Sequence, residues 1–262
     1  MFEHALSFDD SAAYERFMGS WSRAVGPIFL DWLELAPSAR WLEVGCGTGV
    51  FTELVLDTCS PETVVAVDSA QAQIDHACRQ PLAERASFRV ADAQALPFAD
   101  STFDIVVSAL VINFIPDRPR ALSEMRRVSR AGGMVAGYVW DLAAGRGPSW
   151  PMRAGMRKFG MRVPDIPGTQ TSTLGALTAL FQQAGFEELA TRCIDVTNSF
   201  TDFDSFWQAQ TPSYSPATKM IAAMPDADRQ KLMETVRAGL PLSTEGKIQY
   251  SARANAIKAR VP

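Results

Sequence analysis

The chain has 262 residues, enough to bury a full core as one domain. Its 25 Lys and Arg are outnumbered by 29 Asp and Glu, for a formal net charge of −4, and no long basic run appears, which argues against a nucleic-acid substrate. The longest apolar run, Ile105 to Ile115, is interrupted by Ser108 and Asn113 and is too short to span a bilayer.

The first ten residues are acidic and hold no signal-peptide core. Residues 11–36 read as helical, because Val25, Ile28, Phe29, Trp32 and Leu33 recur at helical spacing ahead of Pro37. The stretch Trp41-Leu-Glu-Val-Gly-Cys-Gly-Thr-Gly-Val-Phe-Thr52 then reads as a short buried strand, a glycine turn and a helix start. Glycines at 45, 47 and 49 let the backbone turn tightly and approach a ligand, and the helix offers free N–H groups at that turn. A dinucleotide fingerprint would place its third glycine at Val50, and no Lys-Ser/Thr follows, so neither that fingerprint nor a P-loop fits. The carboxylate of Glu43 beside the turn disfavours phosphate and suits a cation.

Strands and helices alternate on through residue 140, the pattern of a parallel sheet with crossover helices. Val64–Asp68, Val90–Ala93, Phe103–Ser108 and Gly132–Tyr138 are the strand segments. Asp117 suits the N-cap of a helix running to about Arg130, whose arginines read as a solvated face. Glycines and prolines break the rhythm over 141–172, with a helix near Met152–Phe159. A helix near Leu174–Ala184 stops at Gly185, and a strand follows near Phe186–Thr197. Residues 201–243 form a second, helix-rich break. From Ile248 to Ala256 apolar and polar residues then alternate as in a strand. Cys46, Cys59, Cys78 and Cys193 are scattered without C-x-x-C spacing, as free thiols of a reducing, cytoplasmic compartment would be.

In this order the segments between about 40 and 140 resemble the motifs of class I S-adenosylmethionine-dependent methyltransferases, most closely the small-molecule subgroup that includes quinone-biosynthesis methyltransferases. The family's usual Asp-x-Gly is Glu43-x-Gly45 here, which keeps the charge. The resemblance implies a Rossmann-like, doubly wound α/β fold. Its seven-stranded sheet would be mostly parallel, with an antiparallel seventh strand between the fifth and sixth. It also implies a helical lid over 1–36 and a methyltransferase domain over 37–262, with cap insertions at about 141–172 and 201–243. S-adenosyl-L-methionine is the implied cofactor, held at Glu43, Gly45, Gly47 and Gly49. Asp68 would meet the ribose hydroxyls; it lies nineteen residues after Gly49, a spacing that suits a ribose-binding acid, although a helix cap explains it too. Ser69 would flank the adenine, Asp92 with Ala93 would meet its amine, and Ser108 would line the sulfonium end. An Asp at 92 can equally cap a turn, and Ser69 can be an ordinary N-cap. The segment Tyr14 to Arg23 resembles the N-terminal helix that covers the cofactor in relatives, with Tyr14 and Trp21 facing the sulfonium and Ser22 or Arg23 at the methionine carboxylate; an aromatic packing face is the alternative.

Methyl transfer from a sulfonium is an in-line displacement that gains from alignment and from exclusion of water. It needs no metal, and the only histidines, His4 and His76, form no metal-binding pattern and supply no evident base. The acceptor is expected to be a small, apolar or aromatic molecule, with Trp207 as a pocket wall and Asn113, Asp141 and Tyr138 near strand exits as candidates to orient it. An NAD-dependent oxidoreductase and a cofactor-binding regulatory protein without turnover are the competing readings.

Overall fold

Apolar strands that are buried on both faces need a helical layer on each side, and the chain supplies two. The structure, a computed structural model, describes residues 13, 15–213 and 215–262. A π-helical turn, Glu15–Gly19, runs directly into α1 (Ser20–Leu33). Then follow β1 (Arg40–Val44), α2 (Val50–Thr58), β2 (Thr63–Asp68), α3 (Gln71–Ala77), β3 (Ser87–Val90) and β4 (Phe103–Ala109). The chain continues through α4 (Arg118–Val128), β5 (Ser129–Trp140), α5 (Trp150–Lys158), α6 (Leu174–Gln183) and β6 (Glu187–Phe200). It ends with α7 (Phe203–Gln210), α8 (Pro216–Ala222), α9 (Asp226–Ala238) and β7 (Ile248–Arg260).

The sheet order is β3-β2-β1-β4-β5-β7-β6, with β7 antiparallel to both neighbours and the first five strands parallel. The order reverses beside β1, between β2 and β4. Ligands of open α/β sheets bind at the carboxyl ends of strands at such a switch point.

Strand alternation divides the core in two. Trp41, Ile105, Val107, Met134, Ala136 and Tyr138 pack toward α1 and α2, while Leu42, Val44, Val106, Val135 and Val139 pack toward α4 and α6. The helices of 141–172 and 201–243 join the first layer: Met152 and Met156 of α5, Phe206 of α7 and Leu232 and Val236 of α9 belong to the same cluster as α1. Gly155 brings α5 and α9 together, since a Cβ there would stand 2.5 Å from Val236 Cγ2.

Several expected boundaries shift for physical reasons. Ile28 is 36% exposed because the buried stripe of α1 runs through Trp21, Val25, Phe29 and Leu33. The third strand ends at Val90, so Asp92 lies in the loop beyond it. Asn255, read as an outward position of the last strand, is buried; its Nδ2 donates to the Ser172 carbonyl at 2.8 Å, where the loop before α6 covers the sheet.

Candidate functional site

The glycine turn between β1 and α2 requires its glycines. Gly45, Gly47 and Gly49 have φ of +84°, +52° and +91°, in the left-handed region that other residues avoid. At Gly45 a side chain is also sterically barred, because a Cβ would stand 2.4 Å from Val111 Cγ2. The turn is stitched to β2 by Gly45 N–H and Cys46 N–H, which donate to the Val67 carbonyl at 2.7 and 2.9 Å.

Two predicted carboxylates hold this turn from below and from the side. Glu43 is 2% exposed, and its Oε2 accepts from the Thr52 hydroxyl of α2 at 2.5 Å. Burial pushes its carboxyl up to about 7, the Thr52 hydrogen bond opposes the rise, and the nearby Asp68 charge adds to it. Asp68 ends β2; its Oδ2 accepts from Gly47 N–H and its Oδ1 from Ala70 N–H, both at 2.9 Å. A carboxylate has about four acceptor positions. Two stay open at Asp68, the number of donors in a vicinal diol. A ribose-bearing cation therefore fits the groups present: three glycines that let it approach, a half-exposed carboxylate with spare capacity, and no basic side chain within the turn.

The remaining predicted residues divide. Ser69 is exposed and makes no hydrogen bond among the described residues; the N-cap of α3 is Ala70, whose N–H meets Asp68. Asp92 is exposed and forms a local turn, its Oδ1 accepting from the Gln94 N–H at 2.8 Å and the Gln94 amide at 3.0 Å, which holds the carboxyl below its usual range. Ala93 is half-buried beside it. Ser108 is fully buried with an unpartnered hydroxyl, and strand alternation puts its side chain with Val106 on the α4–α6 face, opposite Glu43.

On the N-terminal side, Tyr14 lies outside the described residues. Trp21 is fully buried, with ring centroids 6.1 Å from Trp140 and 5.2 Å from Tyr250. Ser22 is 9% exposed. Arg23 pairs with Glu15 at 2.5 Å. Asn113, Asp141 and Tyr138, read as candidates to orient an acceptor, are instead tied into the framework. Asn113 Nδ2 donates to the Pro167 carbonyl at 3.2 Å, and Asp141 Oδ1 accepts from the Ala144 N–H at 3.2 Å. The Tyr138 ring packs 4.7 Å from Phe29. Trp207 rests on Phe203, 5.7 Å between centroids, inside the cap's own aromatic cluster.

Three contributors were missed in the sequence. The Glu15 carboxylate reaches the turn, its Oε2 accepting from the buried Thr48 hydroxyl at 3.4 Å. A helical sequence alone does not reveal the π-helical turn that aims it there. Thr52 falls within the quoted motif, and its place one turn into a helix facing Glu43 was the available signal. Arg127, read as part of a solvated face, pins the 96–100 loop, donating to the Leu96 and Phe98 carbonyls at 2.9 and 2.8 Å and pairing with Asp100 and Glu124.

Among the described residues no cluster of potential ligands could hold a metal ion, and no helix is long and apolar enough to cross a membrane.

Known proteins bear on this geometry. Residues 42–137 match the family described as Methyltransferase domain. The chain is 30% identical over 164 residues to the malonyl-[acyl-carrier protein] O-methyltransferase of Serratia marcescens, a match covering 61% of the chain and 59% of the relative. It is 38% identical over 142 residues to the biotin biosynthesis bifunctional protein BioHC of Cellvibrio japonicus, covering 54% of the chain and 27% of that protein. The chain thus spans less than two thirds of these relatives' lengths. In fold it is similar to Haemonchus contortus phosphoethanolamine N-methyltransferase 2 in complex with S-adenosyl-L-methionine, with a TM-score of 0.59, 17% identity, and coverage of 99% of this chain and 58% of that one. The family match runs from within β1 through most of β5, the part of the chain that builds the glycine turn, and a methyltransferase domain goes with a sulfonium cofactor rather than NAD. Residues 42–137 thus match a methyltransferase domain, and the chain shares the fold of a methyltransferase that binds S-adenosyl-L-methionine.

Proposed function

We propose that the chain transfers a methyl group from S-adenosylmethionine to a small organic acceptor at the carboxyl edge of β1, β4 and β5. The observation that carries this reading is the turn itself: three glycines in the left-handed region, with Glu43 beneath and Asp68 beside it. Two carboxylates at one turn favour a cofactor with net positive charge. When bound, that cofactor supplies an electrophilic methyl on a sulfonium. The chain's own part is to align and to exclude water. Asp68 takes the ribose hydroxyls, Glu43 adds negative charge to the turn when it ionises, and the π-helical turn lies across Thr48. Among the described residues no histidine offers a base here: His76 sits on α3, bonded to Gln80 at 3.3 Å, and His4 lies outside the described residues. An acceptor that ionises readily, such as a phenol, an enol or a carboxylic acid, suits such a site.

Thermal shifts with S-adenosylmethionine, S-adenosylhomocysteine and NAD test the cofactor, since a ligand of the native state stabilises it by mass action. A rise with both sulfur nucleosides is expected, and a rise with NAD alone overturns the reading. Asp68→Ala should weaken S-adenosylmethionine by one to two decades, from the loss of roughly 1.5–3 kcal/mol in hydrogen bonds to a charged acceptor. It should also lower the melting temperature, because Gly47 and Ala70 lose their acceptor. A radiolabelled methyl-transfer screen over phenols, organic acids, amines, tRNA and protein then tests the acceptor class; labelling confined to tRNA or protein rejects it.

A further inference from the structure

A hollow of about 750 Å³ opens between the π-helical turn and the α7–α8 segment. Its walls include Ala13, Arg16, Gln208, Thr218, Lys219 and Ala222, and among the described residues no carboxylate lines it. Elsewhere some of the chain's cations are paired, Arg23 with Glu15, Arg85 with Asp57, Arg127 with Glu124 and Arg253 with Asp195, while others such as Lys158 stand alone on the surface among the described residues, outside this hollow. Arg16 and Lys219 have no hydrogen-bond or ion-pair partner among the described residues, and neither has Gln208. The Thr218 hydroxyl oxygen is buried and unpartnered. One hollow thus gathers two exposed cations, the exposed Gln208 amide and one buried, unpartnered hydroxyl between small apolar walls at Ala13 and Ala222.

The position is equally informative. Glu15 touches the glycine turn through Thr48, and Arg16 is the next residue along the π-helical turn. Consecutive helical residues point roughly a quarter-turn apart, so one side chain reaches the cofactor turn while its neighbour faces the hollow. We infer that this hollow binds the anionic end of the methyl acceptor: a carboxylate or phosphate on a short apolar body, held by Arg16 and Lys219 with Gln208 and Thr218 as neutral donors. The assignment to an acceptor rests on the proposed methyl transfer; the anion site itself rests on the hollow and its unpartnered groups. It also revises the acceptor expected from the sequence, which was largely apolar. The aromatic residues of the insertions pack on one another, whereas the two cations line the hollow.

Calorimetric titration of the full chain with hexanoate, hexyl phosphate and hexanol, with and without S-adenosylhomocysteine, tests this. At least one of the two anions should bind about tenfold or more tighter than hexanol, as expected of a charge-assisted contact. Arg16→Gln and Lys219→Gln should each remove most of that advantage, while Lys158→Gln, an exposed cation of α5 outside the hollow, should leave it intact. Hexanol binding as well as both anions, no effect of either hollow substitution, or an equal loss in Lys158→Gln overturns the inference. S-adenosylhomocysteine affinity should be the same in all variants. Its absence in a protein that still selects anions would sink the methyl-transfer reading and leave the anion site standing.

Discussion

Glu43 illustrates how one side chain can set conflicting demands on folding and binding. Its carboxyl is buried beneath the glycine turn and titrates near 7, against an ordinary value near 4.5. Between those two values the folded chain holds a proton that the unfolded chain has released, so stability falls as pH rises. The loss accumulates from about pH 4.5 to about 7 and is complete above; a difference of about 2.5 units corresponds to about 3 kcal/mol. Glu43→Gln keeps the acceptor for Thr52 and removes the ionisation. The ligand-free variant should match the native chain near pH 4.5 and exceed it by about 3 kcal/mol at pH 8, read from urea denaturation at the two pH values. The same variant should bind S-adenosylmethionine more weakly at pH 8, because the turn has lost a negative charge. Equal stability at both pH values would show that Glu43 does not ionise in the folded chain.

Among the elements, those with strong periodicity or punctuation were legible in the sequence. Asp117 caps α4 through the Arg120 N–H, and Gly185 closes α6 with φ of +77°. The reversed β7 and its slot between β5 and β6 followed from the resemblance. What periodicity cannot report is distance between segments far apart in sequence. The contact of α5 with α9 joins residues about eighty positions apart and depends on Gly155, which in the sequence is only another helix-weakening glycine. Gly155→Ala would push a methyl to 2.5 Å from Val236 Cγ2 and 3.0 Å from its Cα. Overpacking of this kind costs about 1–3 kcal/mol. The loss should appear in urea denaturation, and hydrogen exchange should quicken in α5 and α9 more than in β1 and β4. Unchanged exchange there would mean that the two insertions are not coupled at this point. The site was legible to the extent that glycine spacing and strand-ending acids are local; Glu15 was not, because a π-helical turn aims it at Thr48, and the hollow was not, because it forms where that turn meets a segment some 200 residues away.

For the molecule as a whole, β7 is the keystone of the sheet's second half. It pairs with β5 from Met134 to Trp140 and with β6 from Glu187 to Phe200. Its side chains also tie down the α1 layer: Lys258 Nζ donates to the Trp32 carbonyl of α1 at 2.7 Å, and Tyr250 donates to the Pro148 carbonyl at 2.8 Å. A chain cut after residue 247 would leave β5 and β6 with unpaired edges and α1 without its floor of Ala252, Ala254 and Ala256. Such a truncation should show no cooperative thermal transition by circular dichroism; a sharp transition near that of the full chain would mean that β1 to β5 fold as an autonomous unit.

The Cys46 thiol sits inside the glycine turn, 6% exposed, and burial with the Glu43 and Asp68 charges beside it holds its pKa well above the ordinary thiol value. It is therefore a latent reporter. Cys78 and Cys193 are exposed and should alkylate readily, whereas Cys46 can react only when the turn opens to solvent. The rate at which iodoacetamide modifies Cys46, followed by peptide mass spectrometry, should thus clock the breathing of the site in the native chain without any engineered label. Saturating S-adenosylhomocysteine should slow that clock at Cys46 and leave Cys193 unaffected.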